Sequence, residues 1–384
     1  MYQPERSQQI TRVVVLQPTP FCNINCRYCY LPQRALARTM TSAVLVRILD
    51  SLFTSSLLAE SITLLWHAGE PLVAPLSFYQ EAFRHIERLN TKKIRIISLL
   101  QTNGTLITQQ WCDFIKLQGI RVSVSLDGPQ HIHDRYRVDR AGKGSFARAM
   151  RGVQLLQQNG IEPFIIMVLT RYALDYPDEI WQFFCEHGLN QLAFNIEEVN
   201  GIHTHSSLES EENVLRYKHF LQRICELRAQ SERPPYIREI NTFLERIQLL
   251  SEPTLSEENI AGVMLNFDYA GNVSTFASDL LTMQHPRFGD FKLGNVFTER
   301  LEDMLNSPKL HALNAEVQRG VANCQQSCQY FDFCGGGSPV NKLSEHGQLD
   351  ATETMHCRLN IQTAMDVALQ HLELRHNRAR DNNQ

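Results

Sequence analysis

Six short apolar runs, each followed by a helix-patterned stretch, repeat along the first half of the chain, and this alternation narrows the fold more than any other feature. The runs are "TRVVVLQPT" (11–19), "SITLLWH" (61–67), "KIRIISLLQT" (93–102), "RVSVSLD" (121–127), "PFIIMVLT" (163–170) and "QLAFNIEE" (191–198). Helix-like stretches lie near 42–55, 75–90, 107–118, 145–159 and 176–187, several closing on glycine as "KLQG", "QQNG" and "CEHG" do. Strand-then-helix units with right-handed crossovers predict an α/β fold with a parallel sheet, open or curled into part of a barrel. Ligands of such sheets bind at the C-terminal ends of the strands. The polar motifs fall there: a cysteine loop after the first strand, "HAGEP" after the second, "QTNG" after the third and "DGP" after the fourth. Each alone is ordinary turn chemistry; together, beside three cysteines, they mark a site.

The cysteine loop, "PFCNINCRYCYLP", puts Cys22, Cys26 and Cys29 within eight positions. A structural zinc ion takes four ligands, and the nearest histidine, His67, is far down the chain. A disulfide would use two thiols and strand the third. An iron–sulfur cubane fits, with one iron left free of protein ligand. A second set, Cys324-x3-Cys328-x5-Cys334-x22-Cys357, offers four thiolates, enough for zinc or for a [4Fe–4S] cluster, and spacing does not choose between them. Cys112, Cys185 and Cys225 stand singly in helix-like stretches and read as small buried residues.

At 384 residues the chain suits one large domain plus a smaller one, and 43% hydrophobic with 20% charged residues is an ordinary globular balance. A net charge of −4 gives no general pull toward nucleic acid. No run of 18 apolar residues and no signal-peptide core occur, so a cytoplasmic protein without a membrane span is expected. Ten cysteines without a secretion signal argue for metal ligands or free thiols rather than disulfides.

"CNINCRYC" with "HAGEP", "QTNG" and "SLDGPQHIHDRYR" resembles the core of a radical S-adenosylmethionine (SAM) enzyme, a partial (β/α)6 barrel, over roughly residues 10 to 200. The resemblance implies a [4Fe–4S] cluster on Cys22, Cys26 and Cys29 whose open iron is chelated by SAM. It further implies reductive cleavage of SAM to a 5′-deoxyadenosyl radical that abstracts hydrogen, with the electron from an external flavodoxin- or ferredoxin-like donor. By motif, Tyr28 should pack beside cluster and adenine, while the backbone at Gly69 and the carboxylate of Glu70 should meet SAM's amino group. Ser125 and Arg137 match positions that grip its ribose and carboxylate. Ala68 stands where the family has the first glycine of Gly-Gly-Glu-Pro.

The C-terminal cysteines resemble the SPASM extension, which carries auxiliary clusters. Sulfatase-maturing relatives carry two, but the position of their further cluster cysteine aligns with Phe276, and another frequent cysteine is Ser338 in "CGGGS". This implies one auxiliary [4Fe–4S] cluster, on Cys324, Cys328, Cys334 and Cys357, suited to electron transfer. The general base of formylglycine formation follows that missing cysteine in the family; here the residue is Ala277, and Asp279 would share its face only if the strand continued. "WHAGEPLV", "FNIEE" and "CQYFDFCGGGSPVNKLSEHG" are similar to the GRRM-type maturases of glycine-rich repeat peptides, within the group that makes three-residue cyclophanes. The chemistry then implied is an oxidative C–C cross-link in a ribosomal precursor peptide, with Asp279 and Glu197 as candidates for the base.

The expected organisation is a barrel at 10–205, a helical bridge at 206–260, a SPASM-like unit with a β-hairpin and helices at 261–376, and a disordered tail at 377–384. With 21 residues before Cys22, recognition of a leader peptide is expected to fall to the bridge or to a separate protein. The rival readings are a sulfatase-maturase-like formylglycine-generating enzyme, a non-catalytic iron–sulfur electron carrier, and a zinc-binding interaction protein.

Overall fold

The computed structural model describes residues 10–248 and 256–381. Six parallel strands carry the first half: β1 (Thr11–Leu16), β2 (Leu58–Trp66), β3 (Arg95–Thr102), β4 (Arg121–Ser125), β5 (Phe164–Leu169) and β6 (Gln191–Ile196). They neighbour one another in sequence order, as right-handed crossover units dictate. The helices between them are α1 (Ser42–Thr54), α2 (Leu76–Leu89), α3 (Gln109–Gln118), α4 (Gln130–Tyr136), α5 (Phe146–Gln158) and α6 (Pro177–Glu186). Their starts are set by side-chain caps where the sequence offers one: Thr41 accepts from the Val44 amide and Thr108 from the Trp111 amide.

Exposure alternates along β3, β4 and β5, and the pattern locates a cavity. Leu100, Val122, Val124, Ile165 and Met167 are fully buried against the helices. Leu99, Gln101, Ser123, Ser125, Ile166 and Val168, one residue out of phase, keep partial exposure. Side chains of successive strand residues point to opposite faces, so the second set faces the inside of the curled sheet, which water reaches. Register places Gln101 beside Ser123, Ser125 beside Ile166 and Val168 beside Asn195.

The bridge is helical as expected: α7 (Glu211–Gln230) packs against α6, and α8 (Arg238–Gln248) follows the two-residue strand β7 (Tyr236–Ile237) at the edge beyond β6. The remainder of the bridge pattern, 249–255, lies outside the described residues. The hairpin β8 (Met264–Phe267) and β9 (Asn272–Thr275) does not stand in a separate unit. β8 pairs in parallel with β1, so the hairpin extends the barrel sheet, which the later strand paired to β9 at Gly294–Asn295 completes to ten. Small strands β10 (Gln284–His285), β11 (Gly289–Asp290) and β12 (Gly294–Asn295) follow, then α9 (Leu301–Leu305), α10 (Pro308–Ser327), α11 (Phe331–Cys334) and α12 (Pro339–His346). A π-helical stretch, Cys357–Thr363, leads into α13 (Ala364–Asp381).

Two expectations are corrected here. The disordered tail begins too early: α13 runs through 377–381, and 382–384 lie outside the described residues. Cys185 is exposed, unlike Cys112 and Cys225, because Ile180, Phe183 and Phe184 set the buried face of α6 and residue 185 turns away from it. Among the described residues no helix is long and apolar enough to cross a membrane.

Candidate active site

Cys22, Cys26 and Cys29 lie on the loop leaving β1 toward the strand ends, close enough for their sulfurs to interact electrostatically. Burial pushes Cys22 and Cys26 up to about 12, so the bare thiols are protonated and metal ligation must release those protons. Asn103, in the "QTNG" turn after β3, points its Nδ2 at Cys22 Sγ across 3.7 Å and donates to Asn23 at 2.8 Å.

The turn after β2 braces this loop. The Glu70 amide donates to Phe21 O at 2.8 Å. A Cβ on Gly69, whose φ is +57°, would fall 2.5 Å from Thr19 O and 2.6 Å from Phe21 O, so only glycine lets the two backbones approach. Ala68 takes a left-handed φ of 68° beside it, a conformation that costs an L-residue energy and that glycine adopts freely. Glu70 is 1% exposed, and its carboxylate accepts from Leu72 N at 3.0 Å, Thr102 Oγ1 at 2.7 Å and Asn103 N at 2.7 Å. Burial outweighs these bonds and raises its pKa to about 7. Three donors leave one lone pair for a further partner.

A second buried carboxylate, Asp127 after β4, accepts from Tyr28 Oη at 2.5 Å, from Arg137 Nη2 at 2.9 Å and from the Val168 amide at 2.9 Å. Arg137 Nε lies 2.9 Å from the other Asp127 oxygen, and the guanidinium carbon sits 5.4 Å from the Tyr28 ring centre. Arg137, expected at SAM's ribose or carboxylate, gives one hydrogen bond to Asp127 through Nη2, while its Nε, though 2.9 Å from the carboxylate, is buried without a hydrogen bond. It holds the cysteine loop to the ends of β4 and β5 through Tyr28. Ser125 stands on the inner face of β4, partly exposed and with no side-chain hydrogen bond among the described residues.

Deeper in the mouth lies a polar network that single motifs did not announce. Asp279 accepts from Asn200 Nδ2 at 3.1 Å and from the Tyr30 hydroxyl. Ser344 Oγ donates to Asn200 at 3.2 Å. Glu198 bonds His356 Nδ1 at 2.7 Å and accepts from Asn341 at 3.2 Å. Glu198 and His356 are enclosed by protein yet keep 27% and 24% of side-chain exposure, as groups lining an internal cleft do. Burial, with the charges of Glu198 and Glu258 added, raises Asp279 to about 6 against the opposing bonds from Tyr30 and Asn200. Burial alone lowers His67, at the end of β2, to about 4, leaving a neutral imidazole in the cleft. The strand does not continue to Asp279: β9 stops at Thr275, Phe276 turns to a φ of 70°, and Asp279 sits in a 3₁₀ turn at Ser278–Leu281. Glu197, the other base candidate, has its carboxylate taken by His203 at 3.1 Å, the Ser207 amide at 3.0 Å and the Ser207 hydroxyl. It ties down the loop 203–207.

The four C-terminal thiols line one pocket, together with Tyr330, Phe331 and Ile361. Cys324 ends α10, Cys328 caps it, Cys334 ends α11 and Cys357 opens the π-helical stretch. Gly335, Gly336 and Gly337 follow Cys334 with φ of 69°, 105° and 71°. This succession curls backbone amides inward, as in anion-binding nests, and the Gly337 amide donates to Cys334 Sγ at 3.0 Å. Gln362 donates to Cys357 Sγ at 3.5 Å and Lys342 Nζ to Cys324 Sγ at 3.5 Å. Among the described residues no group of His, Cys, Asp or Glu converges as a single-ion site would require. Thiols around a space with donors aimed at their sulfurs suit a multi-atom cluster better than one zinc ion. Where sulfatase-maturing relatives have further cysteines, Phe276 is 2% exposed in the core and Ser338 is the N-cap of α12.

The sequence reading missed Asn103, Asp127, Tyr30, Asn200, Glu198, His356 and Lys342. Only "DGP" and "QTNG" carried a signal, as polar residues at strand ends; the others meet through tertiary contacts.

A barrel with a three-thiol loop and a signature turn at its C-terminal mouth defines the class, and comparison with known proteins agrees. Residues 16–184 match the radical SAM superfamily model. The chain is 39% identical to an uncharacterised protein of Synechocystis over 94% of this chain and 92% of that one. It is 27% identical to the serine-type anaerobic sulfatase-maturating enzyme of Bacteroides thetaiotaomicron over 84% of this chain and 81% of that enzyme. The structure of native anSMEcpe with bound AdoMet and Kp18Cys peptide has the same fold, with a TM-score of 0.79 at 20% identity over 96% of this chain and 99% of that one. The chain belongs to the radical SAM superfamily. It is an enzyme, and SAM and [4Fe–4S] clusters are its cofactors.

Proposed function

We propose that this enzyme is a cytoplasmic peptide maturase that closes an oxidative C–C cross-link, of the cyclophane type, in a ribosomal precursor peptide. The observation that carries the reading is the single ring of four thiols, with Phe276 filling the core where sulfatase-maturing relatives have a cluster cysteine. In this reading Cys22, Cys26 and Cys29 hold the SAM-binding cluster, and Cys324, Cys328, Cys334 and Cys357 hold one auxiliary cluster. When bound, SAM and its cluster supply a radical able to take a hydrogen atom, and the auxiliary cluster supplies an acceptor for one electron. An external flavodoxin- or ferredoxin-like protein provides the priming electron.

Each cross-link removes two hydrogens from the peptide. One leaves a side-chain β-carbon as an atom; the other leaves the aromatic ring as a proton and an electron after the new bond forms. The chain's own residues position and receive. Glu70's remaining lone pair and the Gly69 backbone would hold SAM's amino group, Ser125 faces the cavity from β4, and the Arg137–Asp127–Tyr28 unit keeps the loop in place. Asp279, raised to about 6, is a base poised near neutral pH. The structure of anSMEcpe holds a bound peptide, which supports a peptide substrate for this chain.

Formylglycine formation is the second reading, favoured by the Bacteroides relative and by a buried aspartate at the cleft. The test is anaerobic reconstitution with iron and sulfide, then SAM, dithionite and two synthetic probes. One is a glycine-rich peptide library with aromatic residues, the other a Cys- or Ser-containing sulfatase peptide. Loss of two hydrogens with a fragmentation gap at the aromatic residue is expected for the library. An aldehyde on the sulfatase peptide, with no cross-link in the library, would overturn the proposal.

A further inference from the structure

We infer that Lys342 is the charge that makes the auxiliary four-thiol site an electron acceptor, by holding its ammonium against the Cys324 sulfur. This rests on the reading of that ring as a cluster site, and it concerns a fixed charge rather than a titration.

Lys342 lies on α12 and is 1% exposed, among the largest fully buried side chains of the molecule. Buried lysines are rare, and one without an anion beside it is costly. Among the described residues its ammonium donates to Cys324 Sγ, at 3.5 Å, and no carboxylate pairs with it. The surroundings are cut to admit the ammonium. Gly320, on α10, faces it: a Cβ there would stand 3.1 Å from Nζ and 2.6 Å from Leu349 O. Gly337, whose amide donates to Cys334 Sγ, passes the Lys342 stem, with a Cβ position 3.7 Å from Cε. Two glycines and a helix thus seat one cation at one sulfur.

A counter-anion exists once the ring is loaded. Four thiolates around a doubly positive iron–sulfur cubane leave net negative charge, and one-electron reduction adds one more. The potential of such a cluster follows its net charge, the hydrogen bonds to its sulfurs and its burial. An ammonium in contact with a ligand sulfur stabilises the reduced form more than the oxidised one. The ring without Lys342 would still bind iron but would accept the electron from the cross-linked ring radical less readily. Among the described residues the donor hydrogen-bonded to a sulfur of the three-thiol loop is the neutral Asn103 amide, and the charge of Arg137 reaches Cys26 only through space.

The experiment isolates the auxiliary signal in the full chain carrying Cys22→Ala, Cys26→Ala and Cys29→Ala, reconstituted with iron and sulfide. Redox titration followed by electron paramagnetic resonance compares this parent with added Lys342→Met or Lys342→Arg. The Met variant should retain its iron while the equilibrium constant for accepting an electron falls about tenfold or more, about 59 mV downward for a one-electron couple. The Arg variant keeps the charge and should stay within about threefold of the parent. Independently, ¹⁵N-lysine labelling of the parent should give a nitrogen hyperfine coupling to the reduced cluster, which decides the matter if the Met variant fails to fold or load. Unchanged potential in a loaded Met variant, or no lysine coupling in the parent, overturns the inference while the cluster assignment stands. A parent that takes up no iron overturns the cluster assignment and the inference with it.

Discussion

The two thiol sites of this molecule are built on opposite plans. The N-terminal one hangs three cysteines on a loop and steadies it from outside with buried carboxylates: Glu70 on the turns after β2 and β3, and Asp127 on Tyr28 and Arg137. The C-terminal one closes four cysteines into a ring and aims donors at the sulfurs themselves, from Gly337, Gln362 and Lys342. Three ligands leave a corner open for a small molecule, whereas four close the shell. Carboxylates raise the cost of negative charge near the first site, and donors lower it at the second. On the proposed reading, the difference teaches that one site is laid out for binding and cleaving a ligand and the other for holding an electron.

The largest effect that can break this comparison is loss of either site. Cys22→Ala with Cys26→Ala and Cys29→Ala should abolish SAM cleavage and remove half the iron, from about eight per chain for two four-iron clusters. Cys328→Ala with Cys334→Ala should remove the other half, leave deoxyadenosine production, and end cross-linking. Iron analysis, deoxyadenosine yield and peptide mass check this on variants shown to be folded by circular dichroism. Near twelve irons in the native chain, or cross-linking in the second variant, would refute the division of labour.

Arg137→Met comes next. It leaves Asp127 charged and buried with the Tyr28 and Val168 donors only, a loss of about 3–5 kcal/mol for a broken buried pair. Denaturant unfolding of the unloaded chain measures it. If stability holds and only SAM affinity falls, Arg137 serves the ligand and not the loop.

Glu70→Gln sets an amide nitrogen against the backbone and hydroxyl donors from which the carboxylate accepts. Stability should fall by about 1–3 kcal/mol, and SAM affinity about ten- to a hundredfold, read by equilibrium dialysis. The native pH dependence follows from the raised pKa. With a folded value near 7, above that of an unfolded carboxyl, Glu70's contribution is full below the unfolded value and is lost as pH rises through 7. Asp279, near 6, has the same sign. The unloaded chain should therefore melt higher at pH 5.5 than at pH 8.5, and Glu70→Gln should flatten part of that slope. A native slope of the opposite sign would mean that other groups outweigh both.

The smallest effect belongs to Cys185→Ser. The thiol is exposed and outside both sites, so stability should change by less than about 0.5 kcal/mol, and iron content should not change.

Much of this molecule was legible in the residues. Period and turn chemistry are local properties, so the six strands, five of the six helices between them and the motifs at the strand ends could be read in order, as could the two cysteine sets; the short α4 was not. Tertiary structure decided the rest. The bond from Arg137 to Asp127 shows only in the fold, and Asp279 looks like a strand residue until Phe276 turns the chain. Glu198 meets His356, and Lys342 meets Cys324, across separations that no local pattern spans. A motif states which groups are present and how far along the chain; which of them desolvate one another depends on elements packing face to face. That packing makes a buried lysine beside a sulfur possible, and it joins the β8–β9 hairpin to β1 instead of leaving it in a domain of its own.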